Sequence, residues 1–254
     1  MKIKWYGTAS VSVETENSKV LFDPYVPMKG STVKTKVGDY AGFKDIVITH
    51  AHFDHIGSLK ALFAEEEREI YGTQATHDAL IKLGIPEEHI HIIHPGDELS
   101  FGDIKLRAYQ GRHIKYDKKL LRNTIFNFRM IKYFFSFVKM GLTAAKCKEK
   151  QETQGYLLEA EGKRVFVMGS LNLDDNTEYP CGVDCIILPY QGASNLLGPA
   201  KTIIGKIQPK RVFLDHYDDT FPPLSNTIDT SDIEAEFAGK LSVTKFDYNT
   251  TVTI

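Results

Sequence analysis

The chain has 254 residues, of which 42% are hydrophobic and 25% are charged, and its formal net charge is −2. These values are typical of a globular α/β or α+β protein, and a chain without basic excess is not expected to bind nucleic acid. No apolar stretch is long enough to cross a membrane. Three cysteines are too few for a disulfide framework, and residues 1–7 read as a strand rather than a secretory signal, so we expect a cytoplasmic protein.

The first half of the chain alternates short strands with short helices. Residues 1–25 predict strands that end at Asp23, where a proline follows. Residues 27–44 show no period and predict a loop. The apolar run 46–48 predicts a short buried strand over 46–49, and a helix is predicted over 57–67. Further predicted elements are a helix over 76–83 and strands over 69–72, 89–93, 98–100 and 104–109.

The second half predicts a hairpin followed by alternating helices and strands. The hairpin joins strands 156–160 and 164–168, and residues 183–189 form an apolar run typical of a strand buried on both faces. Ser231 and Glu234 have the spacing of a capping box that opens a helix. The remaining predicted elements are a helix over 199–207 and strands over 211–214, 241–247 and 250–254. Many strands with interspersed helices indicate a layered α/β sandwich.

The segment 114–150 differs in composition from the rest of the chain. It holds ten lysines or arginines against Asp117 and Glu149. Its aromatic residues include Phe126, Phe128, Tyr133, Phe134, Phe135 and Phe137. We interpret it as a basic, aromatic-rich helical insertion in a single domain that spans residues 1–254. The open alternatives for its role are a helix pair packed on the sandwich, a lid, a contact between copies of the chain, and a membrane surface of anionic lipid.

Three histidines and an aspartate are crowded into residues 49–57, which read THAHFDHIG. His50 and His52 are two positions apart, so their rings point to the same side of an extended segment. Asp54 and His55 follow where the chain turns into a helix, and they can face the opposite side of a pocket. Imidazole and carboxylate together suit zinc, with manganese and iron as alternatives. The other interpretation is a helix N-terminus that Asp54 caps, with the histidines exposed.

The other histidines differ in their sequence context. His113 follows a glycine and an arginine in a loop, and His216 follows the predicted strand 211–214 and opens a polar loop. These contexts favour a functional role for both histidines but do not by themselves place them beside the 50–55 cluster. Four histidines lack such a context and are not assigned to it: His77, His89, His91 and His94.

The HxHxDH pattern after a short apolar strand resembles the signature of the metallo-β-lactamase superfamily. The resemblance covers nearly the whole chain, because the order of the strands around 159–169 and 183–192 is also similar. Within the superfamily, the stretches WYGTAS, LPYQG and HYDDTFP most resemble the branch that contains L-ascorbate-6-phosphate lactonase. The resemblance implies an α/β fold in the form of a four-layer αββα sandwich, with metals at one edge of the two sheets.

The resemblance also implies which residues hold the metals. The implied ligands of a first metal are His50, His52 and His113. The implied ligands of a second metal are Asp54, His55 and His216. Asp23 looks like the acidic residue that closes the N-terminal strands of the family.

One ligand that the resemblance implies is missing. The family usually places a bridging aspartate after a glycine at the end of the strand matching 164–168, where this chain has Ser170. The hydroxyl of Ser170 is neutral, so Asp54 is the only carboxylate among the implied ligands of the two divalent metal ions. The repulsion between the two ions is then poorly compensated. Asn172, Asp174 or Asp175 could bend back to replace it. We expect a tightly bound first metal and a weaker second one.

The implied reaction is metal-assisted hydrolysis. Three neutral histidines leave one tetrahedral position of the metal open to a water, whose pKa falls toward neutrality. Asp54 would orient this water and take its proton, so it is the candidate catalytic residue. The expected substrate is a small, anionic ester, lactone or phosphodiester, held in part by Arg112 and Lys115.

Two other functions remain open from the sequence. One is a lipid- or nucleotide-directed phosphodiesterase in which the aromatic insertion meets a membrane or a base. The other is a metal-binding interaction protein without turnover, because Ser170 replaces the bridging carboxylate. A homo-oligomer is the expected assembly.

Overall fold

Two seven-stranded sheets face each other in the computed structural model, which describes residues 1–115, 129–148 and 150–254. The first sheet contains β1 Lys2–Gly7, β2 Ser10–Glu14, β3 Lys19–Phe22, β4 Asp45–Val47, β5 Glu69–Gly72, β6 Ile90–Ile92 and the last strand, β14 Thr251–Thr253. The second contains β7 Glu98–Phe101, β8 Ile104–Gln110, β9 Gln154–Ala160, β10 Lys163–Val167, β11 Cys185–Pro189, β12 Arg211–Asp215 and β13 Ser242–Lys245.

The two sheets share one pairing pattern. The first has the order β14-β1-β2-β3-β4-β5-β6, with antiparallel pairs up to β3 and parallel pairs from β3 to β6. The second has the order β13-β12-β11-β10-β9-β8-β7, antiparallel from β7 to β10 and parallel from β10 to β13. β4 therefore lies in the parallel half of the first sheet, and β12 lies in the parallel half of the second. The chain leaves each sheet at the end of these strands.

Helices lie between the strands of both sheets along the chain. They are α1 Phe53–Ile56, α2 Leu59–Glu65, α3 Gln74–Leu83, α4 Arg129–Lys132, α5 Phe134–Ala144, α6 Leu197–Ile207 and α7 Ser231–Phe237, with short 3-10 helices at Val37–Tyr40 and Glu87–His89. In α3, the Oγ1 atom of Thr73 accepts a hydrogen bond from the amide of Thr76, and Gly84 ends the helix in the left-handed conformation. No helix in the described ranges is both long and apolar enough to cross a membrane.

Three apolar clusters hold the layers together. The cluster between the sheets includes Val13, Phe22, Leu158 and Ile187, all completely buried. A second cluster packs α6 and α7 on the outer face of the second sheet, and a third packs α2 and α3 on the outer face of the first. All five residues of β11 are buried because parallel neighbours flank it and both of its faces are covered. The predicted four-layer αββα sandwich is confirmed.

Several predicted elements begin or end at other residues than the observed ones. The helix predicted over 57–67 begins earlier, at Phe53, because the amides of His55 and Ile56 both donate to the carbonyl of His52. It then breaks into α1 and α2. The predicted capping box at Ser231 is wrong, because the buried Thr230 precedes the first turn of α7 and donates its hydroxyl to the carboxylate of Glu234. The strand predicted over 89–93 starts one residue later, after a 3-10 turn.

Part of the predicted insertion lies outside the described residues, namely 116–128 and 149, and with them Phe126 and Phe128. The described remainder of 114–150 contains α4 and α5. α5 contacts α1, the short helix that carries Asp54 and His55. The described part of the insertion therefore packs against the HxHxDH segment.

Candidate metal centre

Three distant segments of the chain meet at one edge of the sandwich. The HxHxDH segment follows β4, His113 follows β8, and His216 follows β12. The structure brings all six residues that the resemblance implied into two groups of three. Within each group, the candidate ligand atoms lie within 4.8 Å of one another. No other group of three such residues comes this close in the part of the chain that the structure describes.

The first group consists of His50, His52 and His113. Their ring centroids are 4.5–5.0 Å apart, and the Nε2 atom of His50 lies 3.0 Å from the Nδ1 atom of His52. Burial lowers the pKa of His50 well below its ordinary value, and the neighbouring imidazoles lower it further. The ring is therefore neutral at physiological pH and offers a lone pair.

The second group consists of Asp54, His55 and His216. The Nε2 atom of His216 lies 3.1 Å from the Oδ2 atom of Asp54, and the Nε2 atom of His55 lies 3.9 Å from the same oxygen. Burial by itself raises the pKa of Asp54, but His55 and His216 outweigh it and hold that pKa below its usual range. Burial lowers the pKa of His216, but Asp54 raises it to about 9. Asp54 is thus an ionised carboxylate.

Asp23 orients two of these histidines, His55 by direct contact and His50 through Thr49. Its carboxylate accepts hydrogen bonds from the amide and hydroxyl of Thr49, at 2.8 and 2.6 Å, and lies 2.9 Å from the Nδ1 atom of His55. Because the hydroxyl of Thr49 donates to Asp23, it accepts from the Nδ1 atom of His50, 3.1 Å away. In the neutral form of each ring, the Nε2 atom then carries the lone pair that a metal ligand needs.

His113 is oriented in the same way by its own backbone. Its Nδ1 atom donates to the carbonyl of Ile114 at 2.7 Å, so the Nε2 atom carries the lone pair. The amide of Ile114 in turn donates to the hydroxyl of Ser170 at 3.0 Å. Ser170, which stands where the family has a bridging aspartate, therefore contacts the backbone that orients His113.

The side chains that could have replaced the bridge face elsewhere. Asp174 and Asp175 both pair with the guanidinium of Arg112, at 3.1 and 2.7 Å. The side chain of Asn172 accepts from the amide of the next residue. Arg112 is thus engaged by two carboxylates, and the expectation that it holds an anionic substrate finds no support in its contacts.

Replacing Ser170 by aspartate is expected to raise the number of bound metal ions toward two per chain. A carboxylate at this position adds negative charge where two dications repel each other. Elemental analysis after equilibration with limiting zinc measures the effect. Ser170→Ala is the matched control, because it removes the hydroxyl without adding charge and should not raise metal content. An unchanged stoichiometry in Ser170→Asp would remove the missing carboxylate as the cause of weak second-metal binding.

His216 is positioned by a strained turn at Thr8, near the start of the chain. Its amide donates to the carbonyl of Thr8 at 2.9 Å, and the amide of Thr8 donates to both carboxylate oxygens of Asp218, each at 3.1 Å. Thr8 and His216 have φ values of 52° and 56°, which is rare for residues with a Cβ and rarest for a β-branched one. The WYGTAS and HYDDTFP stretches therefore pair with each other. Thr8 and Asp218 were not predicted from the sequence as part of the site.

Replacing Gly7 by alanine is expected to destabilise this turn. Gly7 has a φ of +106°, and an added Cβ would lie 2.7 Å from a methyl of Val33 and 3.2 Å from the carboxylate of Asp218. Gly96→Ala is the control, since Gly96 has a φ of +96° and, apart from its chain neighbours, no atom of the described residues lies within 4 Å of the added Cβ. Overpacking should make the loss in unfolding free energy for Gly7→Ala about 1–3 kcal/mol larger, as measured by urea denaturation. Equal losses would mean that the turn tolerates the extra methyl group.

The donor set fits a divalent transition metal. Two imidazole nitrogens that face each other at 3.0 Å need a cation or a proton between them. The Nδ1 atom of His216 is buried and has no hydrogen-bond partner among residues 1–115, 129–148 and 150–254, which indicates that the polar contacts of this ring are incomplete. Imidazole nitrogens with a single carboxylate are donors that zinc, manganese and iron accept.

The other histidines lie outside this centre. His89 and His91 each contact Glu69, at 3.0 and 2.6 Å, and His77 lies 3.5 Å from Glu87. They belong to neither group of candidate ligands.

Comparisons with known proteins agree with this geometry. A family model described as a beta-lactamase superfamily domain matches residues 18–217. A UPF0173 protein of Pyrococcus furiosus is 27% identical over 219 residues, which is 85% of this chain and 83% of its own length. A UPF0173 metal-dependent hydrolase of Lysinibacillus sphaericus is 26% identical over 233 residues and covers 88% of both chains.

A solved structure shares the fold. Igni18, a metallo hydrolase of Ignicoccus hospitalis, superposes with a TM-score of 0.64 at 18% identity and covers 100% of this chain and 97% of its own. None of these similarities singles out the ascorbate-6-phosphate lactonase branch, which stays a prediction. The chain belongs to the metallo-β-lactamase superfamily, and it is a metal-dependent hydrolase of that fold.

Proposed function

We propose that the protein binds one or two zinc ions, with manganese or iron as alternatives, and hydrolyses a small anionic ester, lactone or phosphodiester. The supporting observation is the convergence of five imidazoles and Asp54 from three distant segments at one edge of the sandwich. When bound, the metal supplies a water with a near-neutral pKa and polarises the substrate oxygen.

Asp54 is the residue that transfers the proton in this proposal. The carboxylate of Asp54 is ionised and lies in the second group of candidate ligands, and it also interacts electrostatically with His52 of the first group. From there it can orient a water, accept its proton and deliver that proton to the leaving group. Asp23 and the carbonyl of Ile114 hold the surrounding imidazoles in one tautomer, so the arrangement needs little reorganisation during the reaction.

The charge of the centre supports an anionic substrate. Asp54 is the only carboxylate among the six candidate ligands, and Asp23 lies behind His55 rather than in either group. Divalent metals bound there are only partly neutralised, so a substrate carboxylate or phosphate is attracted. The candidate ligands His52, His113 and His216 are each partly exposed, which leaves the centre accessible to such a molecule.

Elemental analysis combined with a hydrolysis panel tests this function. The panel consists of carboxylic esters, lactones and bis(p-nitrophenyl) phosphate. We expect bound metal in the isolated protein, and turnover that stops with a chelator and returns with added metal. Full metal occupancy without turnover would support the metal-binding interaction protein instead. A metal-free protein whose activity ignores the chelator would contradict the proposal.

A lipid-directed phosphodiesterase is a second candidate. It is favoured by exposed apolar side chains on α5, the helix that contacts α1 beside the metal centre. Hydrolysis of a phospholipid headgroup in the same panel would separate it from a hydrolase of soluble substrates. The cytoplasmic location, the homo-oligomer and the absence of a nucleic-acid partner stay predictions.

A further inference from the structure

One face of α5 is anchored to the protein. Met140, which is 5% exposed, packs with Tyr25 and Phe221 and against Phe53, the first residue of α1. Cys147, just beyond the helix, is buried in the cluster under α2. These contacts fix which side of α5 faces the sandwich.

The preceding helix is tied to the segment after His216. The guanidinium of Arg129 in α4 pairs with the carboxylate of Asp219 and donates to the carbonyl of Ser225 at 3.1 Å. Tyr133, between α4 and α5, packs closely on Gly30. The described part of the insertion therefore contacts both α1 and the segment after His216, and these contacts hold it beside the metal centre.

The opposite face of α5 is apolar and exposed. Phe135, Val138 and Leu142 are 87%, 43% and 70% exposed, and their spacing of three and four residues places them on one stripe of the helix. The other large hydrophobic side chains exposed in the described ranges are scattered and less exposed: Ile81, Ile92 and Tyr248, at 37–40%. Single exposed apolar residues are ordinary, but a contiguous stripe marks a binding surface.

Basic residues flank this stripe along the chain. Lys132 precedes α5, Lys146 and Lys148 follow it, all three are exposed, and residues 129–148 contain no aspartate or glutamate. An apolar stripe with a basic border complements a bilayer of anionic lipid, in which acyl chains accept the apolar groups and headgroups attract the lysines. We propose that the surface formed by Phe135, Val138, Leu142 and the three lysines docks on anionic phospholipid.

A second copy of the chain fits this surface less well. In a two-fold symmetric contact the same surface packs against itself, so the lysines of both copies would face one another. The stretch 129–148 supplies no carboxylate to neutralise them. An anionic bilayer removes this repulsion. Because the inner face of α5 packs near α1, docking would also hold the metal centre beside the lipid surface.

Vesicle co-sedimentation tests the proposal without depending on hydrolysis. The full chain is mixed with vesicles of phosphatidylcholine alone or with added phosphatidylglycerol, at low and high salt. We expect binding only to the anionic vesicles, weakened by salt. Phe135→Ser and Leu142→Ser should each weaken partitioning about tenfold, because each removes one large apolar side chain from the contact. Ile81→Ser is the matched control, with an exposed apolar side chain on α3, and should bind like the native chain.

Three results would overturn the proposal. They are no binding of the native chain to anionic vesicles, binding that Phe135→Ser and Leu142→Ser leave intact, and equal loss in Ile81→Ser. Light scattering on the same variants tests whether a second copy of the chain occupies the surface instead. If Leu142→Ser converts a dimer to a monomer and the native chain does not bind vesicles, the surface joins two copies of the chain. Circular dichroism verifies that the variants keep their helices.

Discussion

Replacing Asp54 by asparagine is expected to reduce hydrolysis about 10²–10⁴-fold on any panel substrate that the native protein turns over. Asparagine keeps the size of the side chain but removes its ability to accept a proton. It also deprives His216 of the carboxylate 3.1 Å from its Nε2 atom. The measurement is kcat for native and variant protein, each normalised to its metal content by elemental analysis.

Glu69→Gln is the matched control for this variant. Glu69 is also a carboxylate between two imidazoles, those of His89 and His91, but it lies outside the candidate metal centre. Its replacement should leave kcat unchanged. An Asp54→Asn variant with normal metal content and undiminished kcat would show that another group transfers the proton.

Replacing His113 by alanine is expected to remove the metal held by the first group of ligands. This histidine comes from a segment 58 to 63 positions away from the HxHxDH cluster in the sequence. Loss of residues that merely orient ligands weakens metal binding about 10–100-fold, so loss of a ligand should weaken it by more than about 100-fold. Competition with a chromophoric chelator measures zinc affinity, and thermal unfolding with and without zinc gives a second reading.

His89→Ala separates ligand loss from the loss of any histidine. His89 contacts Glu69 and belongs to neither group of candidate ligands, so its replacement should leave zinc affinity unchanged. If His113→Ala bound zinc as tightly as the native chain, the convergence at the sandwich edge would have no role in metal binding.

The local part of the site could be predicted from the sequence. His50, His52, Asp54 and His55 fall within six residues, and alternation in an extended segment followed by a helix turn is enough to direct them into one pocket. His113 and His216 could be proposed only through the resemblance to a family. Nothing in their own neighbourhoods determines which distant residues they approach.

The supporting contacts were not predictable in the same way. Asp23 was expected only to close a strand, yet it holds Thr49 and His55. Ser170 was interpreted as a missing ligand, and its contact with the amide of Ile114 emerges only when the segments that follow β8 and β10 lie side by side. Arg112 was expected to face a substrate, but two carboxylates beyond β10 engage it.

The amino-acid sequence by itself determined the strand and helix pattern, the layered class of fold and the crowding of metal-binding groups at residues 50–55. These features depend on periodicity and on neighbours a few residues apart. Only the tertiary structure decided which distant side chains complete the site, which carboxylates turn away from it, and which face of α5 is left exposed. Such contacts depend on how the two sheets and their helices pack, and packing joins residues that have no local relation along the chain.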